Sequence, residues 1–502
     1  HCVVDNPPYM GGGKMNAELS KFVKSKYPIS KADLFSCFIE RSLSFIPQNG
    51  LNGLVTMESW MFLSSFEALR KKIIENTCIQ SLTHFGWHIM RIAFGTVTFI
   101  LEKRRPDDKF RGTYSYMEID NINRETERPI HFPVKDNGRF KIANQKDFEK
   151  IPGRLIGYWM SIKAIKLFDN ERLSKKFTTR EGMATANNDR FMRLWSETKQ
   201  ENSKFNCSDY IDGIRWYPYN KGGSFRRWYG NDYFVVDWEN DGFRIKNNID
   251  PKNGRIRSHN YNGSFSFKPG ITWSALSSGK FSSRWTDNGF LFDSKGAKGF
   301  FSENGYLILG LLNSCVSQFY LDLLAPTLDY KVGDIIQIPF ITEKTIDIKQ
   351  NVINNIEVSK YDWDSRETSW DFQQNELIRC KSNCGQNCAD LDLLSNEDRN
   401  EILEIEKIPT NSNLLKDCYE AYKSKWTKMF FQLHRNEEEL NRQFIEIYGL
   451  QDELTPDVPL EEITILQEET SIENGELVFH ADEVFAQFVS YAVGCMFGRY
   501  SL

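Results

Sequence analysis

Two hydrogen-bond acceptors and an aromatic face lie within four residues of one another in Asn6-Pro7-Pro8-Tyr9. The Asn6 side-chain oxygen and the Pro7 carbonyl accept hydrogen bonds, and a proline carries no N–H to compete with them. An exocyclic aromatic amine, such as N6 of adenine, is a poor nucleophile because its lone pair is delocalised into the ring. Two acceptors on its two N–H bonds draw the nitrogen toward tetrahedral geometry and aim that lone pair. Tyr9 offers a flat surface on which a base turned out of a duplex can stack. A Pro-Pro turn that merely ends a strand is the plain structural alternative for these four residues.

Such chemistry needs a rigid support. The apolar Val3-Val4 pair reads as the end of a buried strand, which the two prolines stop. Each proline fixes its own φ near −65° and keeps the preceding residue out of the helical region. Asn6 and Tyr9 are therefore expected on a stiff loop at the carboxyl end of a strand, where open α/β sheets bind their ligands. Gly11-Gly12-Gly13 lacks the spaced Gly-Lys-Ser/Thr ending of a phosphate-binding loop. Helices are expected over 15–25, from a cap at Ser30 or Asp33 to Phe45, and over 66–76. Strands are expected over 53–57, 79–85 and 96–101, which makes a doubly wound layer.

The motif resembles the catalytic motif of N6-adenine DNA methyltransferases. The longer string Asn6 to Asn16, Asn-Pro-Pro-Tyr-Met-Gly-Gly-Gly-Lys-Met-Asn, is similar to the PglX-type methylases of BREX phage-defence systems, within the Eco57I-like group. Further blocks carry the same resemblance over most of the chain. They are Ser30-Lys31-Ala32-Asp33-Leu34-Phe35, Met57-Glu58-Ser59-Trp60-Met61-Phe62-Leu63 and Arg180-Glu181-Gly182-Met183-Ala184-Thr185. Two more are Lys221-Gly222-Gly223-Ser224-Phe225-Arg226-Arg227-Trp228-Tyr229-Gly230 and Tyr491-Ala492-Val493-Gly494-Cys495-Met496-Phe497-Gly498-Arg499-Tyr500.

The resemblance implies site-specific transfer of a methyl group from S-adenosyl-L-methionine to N6 of a flipped adenine, with Asn6, Pro7, Pro8 and Tyr9 as catalytic residues. It implies a Rossmann-like sheet, double-stranded DNA as partner, and service in phage defence or restriction-modification beside other proteins of a defence complex. An apolar residue from the 85–95 stretch is implied on the second side of the base; Trp87, Met90 and Phe94 all qualify. The family's glycine-rich cofactor loop normally precedes the motif, and only five residues precede Asn6 here. The chain is therefore expected to be an internal fragment, with most of the cofactor pocket outside it and no activity alone. Two other functions compete: a DNA-reading module without methylation, and methylation of cytosine N4. Asn rather than Ser at the motif's first position favours adenine over cytosine.

Charge supports a DNA partner. Residues 150–300 hold 26 Lys/Arg against 15 Asp/Glu, a balance of +11, while the rest of the chain carries −16. A basic middle in an acidic chain is the pattern of a local DNA-binding face. Within it, Asn187, Asn188 and Arg190 carry head groups suited to DNA. Lys221, Arg226 and Arg227 flank Gly222-Gly223, whose bare backbone N–H groups could approach phosphate.

The expected organisation is a partial catalytic domain over 1–105, a linker over 106–150, an α/β target-recognition domain over 151–340, and a mostly helical, truncated region over 341–502. Helices are expected over 307–324, 351–359, 366–381, 396–407, 414–449, 459–469 and 482–497, with a strand-like closing element over 330–339. Mean hydropathy is −0.50 and no run of 18 apolar residues occurs, so no membrane span is expected. Ten scattered cysteines fit reduced thiols in a cytoplasmic protein. Cys380, Cys384 and Cys388 lack both zinc-knuckle spacing and a nearby His, so no metal is expected.

Overall fold

The computed structural model describes residues 1–86, 89, 92, 94–123, 125, 126, 128–131, 138–277, 279–327, 329–342, 346–382 and 415–500. The chain divides into two compact units, His1–Glu171 with Asp322–Pro326, and Arg172–Leu321 with Thr327–Leu502.

The first unit is built on one mixed sheet. Its strands are β1 (Cys2–Asp5), β2 (Leu51–Met57), β3 (Cys78–Phe85), β4 (Thr96–Glu102), β5 (Gly112–Met117) and β6 (Lys141–Ala143). They lie in the order β1-β2-β4-β3-β5-β6. β1 runs parallel to β2, and β3 parallel to β5, but β4 is inserted antiparallel to both β2 and β3. The sheet is thus not the purely parallel layer that strand-helix alternation suggested. No helix separates β3 from β4, so the chain folds straight back on itself.

β5 and β6 come from the stretch read as a linker. Gln145 ties that stretch down, accepting from Ile79 N at 2.7 Å and donating to the Ile74 and Thr77 carbonyls. Helices α1 (Ala17–Lys26), α2 (Leu34–Phe45) and α3 (Glu67–Asn76) match the apolar periodicity, and α2 and α3 bury Phe35, Ile39, Leu43, Leu69, Ile73 and Ile74. β1 departs from the reading as a buried strand. It forms one edge of the sheet, and Val4 is 82% exposed.

The second unit holds two four-stranded sheets. One contains Met192–Leu194, Phe234–Asp237, Trp216–Asn220 and Leu291–Phe292; the other contains Ser283–Thr286, Gly270–Trp273, Lys298–Phe301 and Phe177–Arg180. Its long helices are Ile346–Asp364, Leu415–Tyr448 and Ala481–Met496.

Several expected elements take another form. The apolar run from 305 to 324 is two helices, Gly305–Leu312 and Cys315–Leu324, bent by 68°. At the break, the Asn313 side chain accepts from Ser283 N at 2.9 Å and donates to Ser283 O at 3.0 Å, which draws the chain out of helix. The strand expected over 330–339 is instead a helical turn, Val332–Ile335. Its buried residues Ile335 and Ile338 are spaced by three rather than two. No helix forms over 459–469 beyond the turn Leu460–Glu462, because Leu466 takes a φ of 57° and donates its N–H to Asp362. A hairpin, Thr470–Glu473 with Glu476–Phe479, follows. The helix expected from 366 begins only at Glu376. The helix expected over 396–407, with Cys384 and Cys388, lies outside the described residues. No single helix among the described residues is long and apolar enough to cross a membrane.

Candidate active site

The sheet register gathers strand ends along one edge. Met57 pairs with Thr96, Thr96 pairs with Phe85, and Phe85 pairs with Met117. The carboxyl ends of β2, β3 and β5 and the start of β4 are therefore level. β1 runs parallel to β2, so the loop it feeds, Asn6 to Met10, leaves at the same edge.

That loop is pinned by α2. The Met10 N–H donates to Asp33 Oδ1 at 2.9 Å, Leu34 N donates to Met10 O at 3.0 Å, and Gly12 N donates to Ala32 O at 3.0 Å. Asp33 also caps α2 through Phe35 N at 3.3 Å. Pro7 is buried, while Asn6 and Pro8 are exposed. No described residue hydrogen-bonds the Asn6 side chain, so its amide oxygen is open to an incoming donor.

Tyr9 is half-buried between two rings. It meets Phe35 edge-to-face at 6.1 Å and Phe94 at 5.8 Å with 70° between planes. Burial raises its phenol pKa, so the ring stays neutral. Of the three apolar residues proposed for the second side of a base, Phe94 is thus beside Tyr9. Trp87 and Met90 lie outside the described residues.

Sequence reading missed the support beneath Phe94. The Glu58 N–H donates to the Gly95 carbonyl at 3.1 Å, and Glu58 Oε2 lies 2.5 Å from His84 Nε2. A Cβ on Gly95 would fall 2.0 Å from Glu58 Oε2, so only glycine fits there. His84 also packs against Tyr116 at 5.0 Å. The Gly95 requirement is a close approach between distant residues, and nothing local in the sequence signals it.

The residues expected to meet DNA, all in the second unit, divide into two groups. Asn187, Asn188 and Arg190 are exposed. Asn187 caps a short helix by accepting from Arg190 N at 3.1 Å, and Asn188 accepts from the Thr185 hydroxyl at 2.6 Å. Lys221 is paired with Asp293 at 2.5 Å. Arg226 and Arg227 are corrections: both are buried in ion pairs, Arg226 with Asp362 at 2.8 Å and Arg227 with Glu437 at 2.5 Å and Glu462 at 2.8 Å. Guanidiniums held in this way are not displayed to a phosphate backbone. Gly222 and Gly223 have φ of 87° and 151°, and a Cβ on Gly223 would strike Asn231, so the glycines serve the turn itself. Among the described residues, no cluster of His, Cys, Asp or Glu could hold a metal ion.

With this geometry in view, similarity to known proteins becomes informative. The Eco57I restriction-modification methylase family matches residues 1–89, which contain the Asn6–Tyr9 loop and the Asp33 tether. The chain is 38% identical over 512 residues to the adenine-specific methyltransferase PglX of Lacticaseibacillus casei (strain Zhang). It is homologous to the PglX-type adenine-specific methyltransferases. The same full-length alignment extends at 31% identity over 519 residues to the adenine-specific methyltransferase BrxX of Escherichia coli O9:H4 (strain HS). The chain spans 39% and 38% of the length of these two relatives. Among solved structures, it resembles the Type IIL restriction-modification enzyme MmeI in complex with DNA, with a TM-score of 0.50, 13% identity, and coverage of 91% of this chain and 55% of that one. That likeness concerns the fold.

Proposed function

We propose that this chain supplies the acceptor side of a DNA adenine-N6 methyltransferase acting in phage defence or restriction-modification. The observation that carries the reading is the pairing of Tyr9 with Phe94 beside an open Asn6, on a loop tied down by Asp33. Asn6 Oδ1 and the Pro7 carbonyl accept the two N6 hydrogens and orient the amine's lone pair outward. Tyr9 and Phe94 part to admit the flipped base between them, and stacking replaces the packing they make with each other. Methyl transfer from a sulfonium needs no strong base, because the alkylated amine sheds its proton readily. Asp33 acts on position alone. The family names of the relatives and the basic balance of 150–300 support the DNA substrate.

S-adenosyl-L-methionine would supply the electrophilic methyl group. The residues described do not by themselves form its pocket. Gly11–Gly13 follows the motif rather than preceding it, and none of the three takes a positive φ. The free edge of β1, with Val4 82% exposed, is where a further half-sheet bearing such a pocket would pair. We therefore place the donor site in the portion of the relatives that this chain does not span. That same observation favours a second reading, in which these residues bind and read DNA without methylating it.

Asn6→Ala in the complete protein separates the two. It should abolish transfer of tritiated methyl to DNA while leaving DNA affinity within a few-fold, since interactions with phosphate carry most of the affinity. Retention of more than about a tenth of the single-turnover rate, a loss of less than about 1.4 kcal/mol, would remove Asn6 from the mechanism. In parallel, 2-aminopurine at the target position should brighten on binding to the wild type; no change would favour the reading module.

A further inference from the structure

With Arg226 and Arg227 buried and Lys221 paired, the positive balance of the central stretch must be displayed elsewhere. The chain from Asn248 to Arg257 doubles back as a narrow β-ribbon in the second unit. Ile249 bridges Ile256, Asp250 N donates to Arg255 O at 2.8 Å, and Arg257 N donates to Asn248 O at 2.8 Å. The tip is Pro251-Lys252-Asn253-Gly254, where Gly254 takes a φ of 68° and a Cβ would meet nothing within 4 Å. The turn consumes the ribbon's one acid: Asp250 accepts from Lys252 N at 2.9 Å and Asn253 Nδ2 at 3.3 Å.

The ribbon is free at its tip and rooted at its base. Buried Asn248 donates to Ser258 Oγ at 2.9 Å, and Ser258 donates to the Thr185 carbonyl at 2.6 Å. Ala184 and His259 exchange both backbone hydrogen bonds, at 2.8 and 2.9 Å. The root thus adjoins the turn that carries Asn187, Asn188 and Arg190. Lys252, Arg255 and Arg257 are all exposed, and none makes an ion pair or side-chain hydrogen bond to a described residue. Ile249 and Ile256 are 54% and 55% exposed on the same ribbon, and His259 stacks on Tyr261 at 5.3 Å below it.

We propose that Asn248–Arg257 is a β-ribbon that enters a groove of duplex DNA, with Lys252 and Arg255 reading base edges at its tip and Arg257 on phosphate. This rests on the DNA partner assigned above and adds the element that reads it. A major groove about 12 Å wide admits a two-stranded ribbon, and Lys and Arg are the side chains that address guanine O6 and N7. A free, cation-tipped ribbon with its acid already satisfied complements a polyanion. The exposed isoleucines suit the thymine methyl group, the one apolar feature of that groove.

The test measures affinity of the complete protein for a short fluorescein-labelled duplex across a sodium chloride series. In Lys252→Ala/Arg255→Ala/Arg257→Ala, the slope of log K against log[salt] should flatten by about 2–3, at about 0.9 for each phosphate no longer neutralised. Arg255→Ala alone keeps the test open should the triple variant melt early. Selected against a randomised duplex library, it should lose a guanine preference at one position and weaken binding to the wild-type sequence about tenfold. An unchanged slope together with an unchanged selected sequence overturns the ribbon. Wild-type protein that binds no duplex sinks both the ribbon and the function proposed above. Wild-type protein that binds duplex through the ribbon but transfers no methyl label leaves the ribbon standing and removes the enzyme reading alone.

Discussion

Asp33 Oδ1 accepts the Met10 N–H at 2.9 Å and the Phe35 N–H at 3.3 Å, so one carboxylate oxygen both starts a helix and holds the end of the Asn-Pro-Pro-Tyr loop. Two prolines stiffen the loop from within, and this bond fixes its far end to the fold. The acceptor geometry therefore depends on a residue that touches no substrate.

Asp33→Ala should cost about 1 kcal/mol of stability through the lost helix cap, and more in turnover than in stability. Asp33→Asn keeps an acceptor oxygen and should recover most of both. Urea denaturation alongside single-turnover methylation of the complete protein checks this. Equal recovery of neither property by Asn would mean that the charge, not the acceptor, matters.

Tyr9→Phe should methylate nearly as well as wild type, whereas Tyr9→Ala and Phe94→Ala should each lose about 1–3 kcal/mol of base stacking. The 2-aminopurine signal of each variant reports this directly. Equal damage from Tyr9→Phe and Tyr9→Ala would assign the role to the hydroxyl.

Arg227→Ala should destabilise by about 3–5 kcal/mol, because it strips a buried carboxylate, Glu437, of its cation. The midpoint of denaturant unfolding should fall accordingly. A variant that keeps its midpoint but loses salt-dependent DNA binding would restore Arg227 to the DNA face.

Lys298 is fully buried, and its ammonium lies 5.7 Å from the Phe290 ring centre with no hydrogen-bond partner. Burial pushes its pKa down to about 7, against the attraction of Asp232. A folded pKa below the unfolded value means that stability is lost as pH falls from the unfolded pKa through the folded one. Lys298→Met should therefore raise Tm more at about pH 6 than at about pH 9, where the amine is already neutral in the fold. Thermal melts across that range decide it, and a gain that grows with pH would reverse the assignment.

The motif loop, its Asp33 neighbour and the helices and strands of the first unit were legible because each depends on residues close in sequence: prolines, a cap, an apolar period. Arg226 and Arg227 were misjudged for the opposite reason. Their partners Asp362 and Glu437 lie 136 and 210 positions further on, and two adjacent arginines look alike whether they meet phosphate or a buried carboxylate. The break at Asn313 is likewise set by a strand residue, Ser283, and apolar composition carries no trace of it. The antiparallel insertion of β4 follows from pairing rather than period, since strand composition is blind to direction. The free ribbon at 248–257 was hidden because its cations enter the sequence only as part of a regional total.

The clamp that Glu437 makes also constrains how such proteins can be recombined. It accepts from Arg227 Nη1 and Trp228 Nε1, while Asp362 holds Arg226. A chimera joined near residue 340 would bring arginines from one parent to carboxylates from another, and any mismatch would strand a charge in the interior. Grafting a new target preference onto a relative should therefore succeed when residues 172–502 travel together, or when only the exposed ribbon is exchanged, and fail at seams between those limits.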